Sequence, residues 1–284
     1  MNISELLAVS SWKKHEARSI EPVLKKALEI IDDETRAEIE KFILSRQHAD
    51  GGFIGRAGKS DVYYSLFGHY VAQALGVDDV IAPLKEYVRR LACNDQLSGV
   101  DLYCSAILYA SLVGRDAITR KWTKMIRAVI NQPDPGQVEY TYFMIALSLM
   151  RLEDFGGVRK VLKKIRGHET LSEKPCPVIA AEEVLRFLVN GDQPGLPSRI
   201  MEFYRGNGGF AALHDAPGED LLSTAVALFA LQFMNADLGM IKPDCLLYID
   251  KLYDRGGFRA TVHDETTDTE YAFYGLLALG SLAL

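Results

Sequence analysis

The sequence is short of cysteine, of long apolar runs and of clustered positive charge, and each shortage excludes something. Among 284 residues there are four cysteines, Cys93, Cys104, Cys176 and Cys245, scattered and with no CxxC pair. They build no disulfide framework and read as small buried apolar groups in a reducing compartment. No apolar run reaches about 18 residues, so no transmembrane span is expected. The first 20 residues lack the basic start and continuous apolar stretch of a secretory signal, and the expected location is cytoplasmic. Lys and Arg number 32 against 38 Asp and Glu, for a net charge of −6. Nucleic acid and anionic membrane surfaces need clustered Lys/Arg, so neither is an expected partner. No convincing strand pattern is visible. What is present is a globular composition, 48% hydrophobic and 25% charged. The length suits one domain over 1–284 if the fold is a repeat or a barrel.

Three segments announce a repeat: Gln47–Gly76, Asn207–Leu231 and Arg255–Leu282. Each has a Gly-Gly-Phe turn, a polar loop, an acidic residue, and then a helix rich in Ala, Leu and Tyr. The glycines permit a reversing turn with positive φ, and the Phe can anchor the loop to the core. Degenerate copies fill the gaps. Asp101 precedes LYCSAILYASLVG, Glu139 precedes YTYFMIALSLM, and Pro177–Leu188 supplies a fourth. The acidic markers Asp61, Asp101, Glu139, Glu182, Asp220 and Asp268 fall roughly 40 residues apart, a period that signals stacked helical units.

Helices after the acidic markers are apolar nearly all round, which means burial on both sides. The alternating segments AEIEKFILS, VIAPLKEYVRRLA, ITRKWTKMIRAVI, GVRKVLKKIRG and PDCLLYIDKLY carry Lys and Arg opposite an apolar stripe. A buried ring wrapped by an amphipathic ring is an all-α fold, an α/α toroid (α6/α6 barrel) of about six helical hairpins. An open superhelix is the alternative. Residues 34–284 hold the six repeats. Residues 1–33 hold extra N-terminal helices, expected over Ile3–Glu16 and Ile20–Ile31. The chain stops at Leu284, within the last apolar helix, so closure against the N-terminal part is expected.

Gln47-x-x-Asp50-Gly51-Gly52-Phe53, followed by Arg56, Lys59, Asp61 and Tyr63-Tyr64-Ser65, resembles the repeat of protein-prenyltransferase β subunits. It is also similar to the QxxDGxW motif of squalene–hopene cyclase relatives. The resemblance implies the toroid, an isoprenoid or lipid-like substrate in the central cavity, and a helical partner protein as a conceivable subunit. In prenyltransferases a zinc site uses an Asp-x-Cys at one inner-helix start and a His at a later one. In class II terpene cyclases the middle Asp of Asp-x-Asp-Asp is the proton donor. Here Asp220-Leu221-Leu222 matches only the first Asp of either motif, and Tyr271 stands where the zinc His would be. Leu222 neither ligates zinc nor donates a proton, and a catalytic zinc wants three protein ligands. The usual zinc site is not intact, and the cofactor stays unknown. One toroid hosts several chemistries, so the resemblance specifies fold better than activity.

Candidate site residues have a functional and a plain reading each. Asp61, Asp101, Asp220 and Asp268 precede helices, where Asp caps free N–H groups. The same helix starts, if they converge, make a polar mouth. Asp220, Asp268 and Glu270 are the candidate catalytic carboxylates. Asp268-x-Glu270 is a pair able to hold a proton, because neighbouring carboxylates raise one pKa. Arg56 and Lys59 resemble the Arg-x-x-Lys that contacts a lipid diphosphate; solvated loop charges are the alternative. His214 and His263, each followed by Asp, can serve as bases or metal ligands, or simply as loop polarity. His69, inside an apolar helix, reads as a core histidine. Nine of the thirteen tyrosines fall on the apolar helices. Of these, Tyr64, Tyr103 and Tyr271 are candidates to line an apolar cavity, beside the reading as plain core. The runner-up function is a non-catalytic toroid that binds a lipid or a protein.

Overall fold

The computed structural model describes residues 16–94, 96–131, 138–167, 174–191 and 195–283. A 3-10 turn, Glu16–Arg18, leads into α1 (Ile20–Ile30). Amphipathic helices then alternate with apolar ones. The amphipathic set is α2 (Asp33–Ser45), α4 (Ile81–Leu91), α6 (Ala117–Ile130), α8 (Phe155–Gly167), α10 (Leu196–Met201) and α12 (Lys242–Leu252). The apolar set is α3 (Val62–Leu75), α5 (Gly99–Leu112), α7 (Val138–Arg151), α9 (Cys176–Asn190), α11 (Leu221–Phe233) and α13 (Thr269–Leu282). The structure is thus all-α in class. The helix expected over Ile3–Glu16 lies outside the described residues except for Glu16, and Leu284 lies outside them too.

Packing follows the two sequence patterns. Each apolar helix meets the next in order: α3 with α5, α5 with α7, α7 with α9, α9 with α11, and α11 with α13. α13 also packs on α3, and α1 lies against both. Each amphipathic helix turns its stripe to an apolar neighbour, as α8 does to α7 and α12 to α13. Trp122 and Ile126 of α6 are buried this way, while Arg120 and Lys121 face out.

Strands, which the sequence does not announce, do occur. Among the described residues, three two-residue antiparallel hairpins are β1–β2 (Phe53–Ile54, Ser60–Asp61), β3–β4 (Phe210–Ala211, Glu219–Asp220) and β5–β6 (Tyr253–Asp254, Gly257–Phe258). Two residues are too few to leave an alternating pattern. Phe53, Phe210 and Phe258 are fully buried, as the anchoring role requires. Gly51 and Gly256 sit at φ 92° and 85°, and a Cβ on either would strike the carbonyls of Pro83 and Glu38 respectively. Gly208 abuts Asp244 in the same way. The second glycine of each pair meets an aromatic one helical turn beyond that carbonyl: Tyr87, Phe42 and Tyr248. The hairpin before α3 therefore leans on α4, the one before α11 on α12, and the one before α13 on α2.

The motif residues around the first hairpin hold it together. Gln47 donates to the carbonyls of Gly51 (3.0 Å) and Val80 (2.9 Å). Asp50 accepts from Gly52 N–H (3.0 Å) and Ser60 Oγ (2.5 Å). Phe53 N–H donates to Ser65 Oγ at 2.8 Å, and Phe210 N–H to Thr224 Oγ1 at 2.9 Å. Two acidic markers differ from expectation. Asp101 is the third residue of α5 rather than its cap, which is Ser98. Glu182 lies in mid-α9, buried and paired with Lys174 at 2.7 Å; that helix starts after Pro175.

Candidate functional site

Asp61, Asp220 and Asp268 cap α3, α11 and α13, each accepting a backbone N–H: from Tyr63 (2.7 Å), Ser223 (2.7 Å) and Tyr271 (2.9 Å). The capping reading is therefore correct for these three. Asp268 does more. Arg56, in the turn between β1 and β2, donates from Nε to Asp268 Oδ2 at 2.7 Å and from Nη2 to Asp264 Oδ2 at 2.8 Å. Asp268 is 1% exposed, so one end of this bridge is buried. The guanidinium also lies 5.5 Å from the ring centroid of Tyr271. Two carboxylates on one guanidinium hold Arg56 charged, against the opposing pull of burial. Burial alone would raise Asp264; hydrogen bonds from Thr266 and Arg56 outweigh it and keep that carboxyl below its usual range.

Glu270, two residues into α13, accepts a 2.6 Å hydrogen bond from the Tyr63 hydroxyl. Burial is the main force on it and favours the neutral acid; the charge of Asp268 adds to the rise. Tyr63 and Arg56 pull the other way, and the balance leaves Glu270 at about 7. Glu270 is buried, at 9% exposure. Burial and the neighbouring carboxylates also hold the Tyr64 and Tyr271 phenols neutral at ordinary pH. Burial raises Asp220 as well. A column of aromatic rings continues from here along α3 and α13: Tyr63 on Phe67 (4.8 Å), Phe67 on Phe273 (5.0 Å) and Phe273 on Tyr70 (5.7 Å).

The structure thus gathers Arg56, Tyr64, Asp268, Glu270 and Tyr271, with Asp61 and Asp220 close enough to act on the tyrosines through their charge. Other candidates stand apart. Lys59 is exposed in the hairpin turn, and Tyr103 is buried in the body of α5. His214 stacks on Phe203 at 4.2 Å, with its Nε2 4.0 Å from Glu202. His263 is exposed, and its neighbour Asp264 is engaged by Arg56. His69 is buried and neutral, pushed down to about 4 by burial and the charge of Arg151. The side chains of Glu139 and Tyr140 lie outside the described residues. Tyr63 and Asp264 join the site without having been singled out for it. Asp264 was visible only as the residue after His263, and Tyr63 only as part of the Tyr63-Tyr64-Ser65 stretch of the first repeat.

Among the described residues, no group of three His, Cys, Asp or Glu side chains could hold a metal ion. Leu222 and Tyr271 occupy first-turn positions of α11 and α13, so the donor set does not fit the zinc of the resembled family. Also among the described residues, no helix is long and apolar enough to cross a membrane.

Away from the cluster, on α7, α9 and α11, the apolar helices are not buried all round. Phe143, Leu147 and Met150 on α7, Val184 and Leu188 on α9, and Val226 and Phe229 on α11 each keep a partly open face. These residues line one apolar cavity of about 60 Å³. No family model and no curated protein matches the chain.

Proposed function

We propose that the six apolar helices form the inner ring of an α/α toroid, whose cavity binds and transforms an isoprenoid or other lipid-like substrate by proton transfer at Glu270. The return of the helix contacts from α13 to α3 supports the ring. So does the last hairpin, which leans on α2 as the earlier ones lean on their following helices. The function rests above all on Glu270, a buried carboxyl balanced near neutral pH between Tyr63 and Asp268. A group with that affinity exchanges a proton with a substrate heteroatom efficiently and is too weak an acid for an unactivated alkene. The substrate's polar end is therefore a hydroxyl, carbonyl or amine. Arg56 serves as a positioning residue, since both of its named donors are given to Asp264 and Asp268. That assignment replaces the diphosphate-binding role the resemblance suggests.

The test is incubation with farnesyl and geranylgeranyl diphosphates and the matching free alcohols. Product or thermal stabilisation is expected with the alcohols, and Glu270→Gln abolishes turnover while leaving stabilisation in place. Neither product nor stabilisation with any of the four removes the isoprenoid. A second reading, a non-catalytic toroid that binds a lipid or a helical partner protein, is favoured by the cavity itself. About 60 Å³ is less than an isoprenoid chain needs. Turnover by wild type that is lost in Glu270→Gln excludes this second reading.

A further inference from the structure

We propose a second site, at the far end of the helices from Glu270, that takes a single-chain amphiphile with an anionic head. Here the start of α1 meets the C-terminal ends of α3 and α7 around a cavity of about 720 Å³. Gln73 on its wall is ten residues from Tyr63, which places this end about 15 Å along α3 from the Glu270 cluster.

The cavity has a polar rim and an apolar floor. Ile20, Leu147 and Met150 form the floor, and the same three side chains line the apolar cavity between α7, α9 and α11. These shared side chains lie between a wide, open cavity of mixed polarity and a narrow apolar one. Ile20 belongs to the first turn of α1, and the adjoining turn is held by a hydrogen bond from Arg18 to the Phe233 carbonyl at 3.3 Å. Displacing Ile20 joins the two spaces into one amphipathic tunnel.

The charges on the rim favour an anion. Lys25 and Arg151 line the cavity with Glu21, while Glu153 is paired with Arg115. Arg151 donates from Nε to Ser111 Oγ at 2.8 Å, but its Nη1 is 3.7 Å from Glu21, too long for a hydrogen bond. A ligand carboxylate can take those terminal donors as a bidentate pair, in place of a distant Glu21. Its alkyl tail then runs over Leu147 and Met150 and past Ile20 into the apolar cavity.

Titration of the full chain with dodecanoate, dodecanol, dodecylamine and acetate tests this by calorimetry. Saturable binding of dodecanoate is expected, about tenfold or more tighter than dodecanol, because a charge-assisted pair is the strong kind of hydrogen bond. Dodecylamine and acetate bind more weakly than either. Arg151→Gln weakens dodecanoate about tenfold, Arg151→Lys less, and Glu21→Gln tightens it. Ile20→Trp removes the gain in affinity from octanoate to dodecanoate. Equal binding of dodecylamine, or no binding of dodecanoate, overturns the proposal. So does an unchanged affinity in a folded Arg151→Gln variant, with Glu21→Gln deciding if that variant does not fold. Glu270→Gln leaves dodecanoate binding as it was, so this site stands or falls apart from the proton-transfer reading.

Discussion

Repeats one, five and six are built differently from repeats two and four. In the first group a Gly-Gly-Phe hairpin precedes the apolar helix, its Phe is buried, and an Asp caps the helix. In two of the three, a hydroxyl one turn into the helix also accepts the Phe N–H. In the second group, α5 starts at Ser98 and α9 after Pro175, neither with a side-chain cap bond. The buried acids of α9, Glu182 and Glu183, sit mid-helix and pair with Lys174 and Arg199. Polar groups there tie α9 to the segment before it and to α10. The anchored hairpin instead carries polar groups to helix N-termini and fixes them. That is why Arg56, Tyr63, Asp264, Asp268 and Glu270 all come from repeats one and six.

The hardest test of this contrast is loss of an anchor. Phe53→Ala, Phe210→Ala and Phe258→Ala each remove a fully buried ring and should cost about 3–5 kcal/mol in urea unfolding. The Phe53 and Phe258 rings rest on Gly68 and Gly275, which have no side chain to move into the space they leave. Only the variants at 53 and 258 should also move the titration of Glu270, because their hairpins hold Arg56 and lead to Asp268. An equal shift from Phe210→Ala would break the claim that repeats one and six alone build the site.

Next in size is the effect of Glu270 on stability. Its carboxyl titrates at about 7 in the fold, against an ordinary 4.5. The folded state therefore holds a proton that the unfolded state gives up between these values. Stability is full below about pH 4.5 and falls as pH rises through 7, by on the order of 3 kcal/mol. Glu270→Gln keeps a neutral acceptor for Tyr63 and should flatten that fall. It should leave thermal midpoints near pH 4.5 little changed and raise them at pH 8. Smaller again are Ser65→Ala and Thr224→Ala, which strand a buried Phe N–H. Each should cost about 1–3 kcal/mol. Repeat six has Ala272 at the matching position and shows how a hairpin stands without that staple.

Much of the helical framework was legible, since the five amphipathic segments fall in α2, α4, α6, α8 and α12. Their stripes are long enough for a 3.6-residue period to register. The six-residue α10 and the two-residue strands are not, and were missed. Of the four Asp residues readable as caps, Asp61, Asp220 and Asp268, each after a hairpin, are caps, and Asp101 lies inside its helix instead. Of the site, the residue types were visible and the pairings were not. Arg56 and Asp268 are 212 positions apart, and nothing local in either repeat announces that they touch. Tertiary packing of the last repeat on the first decides it.

The smallest expected difference separates the two groups of repeats most cleanly. Asp61 takes the Tyr63 N–H at 2.7 Å, whereas Ser98, at the same place in repeat two, makes no side-chain cap bond. Both are good cap residues by type, so sequence alone would score them alike. Asp61→Ala should cost about 1 kcal/mol, the usual value of a working cap, and Ser98→Ala a few tenths at most. Thermal or urea unfolding of the two variants side by side measures this. If Ser98→Ala costs as much as Asp61→Ala, repeat two is capped in solution as repeat one is. The hairpin would then lose its part in setting the helix start. If the costs differ as expected, the hairpin of repeat one holds Asp61 as a working cap where Ser98 is not one, and the carboxylates of the site follow from the same geometry.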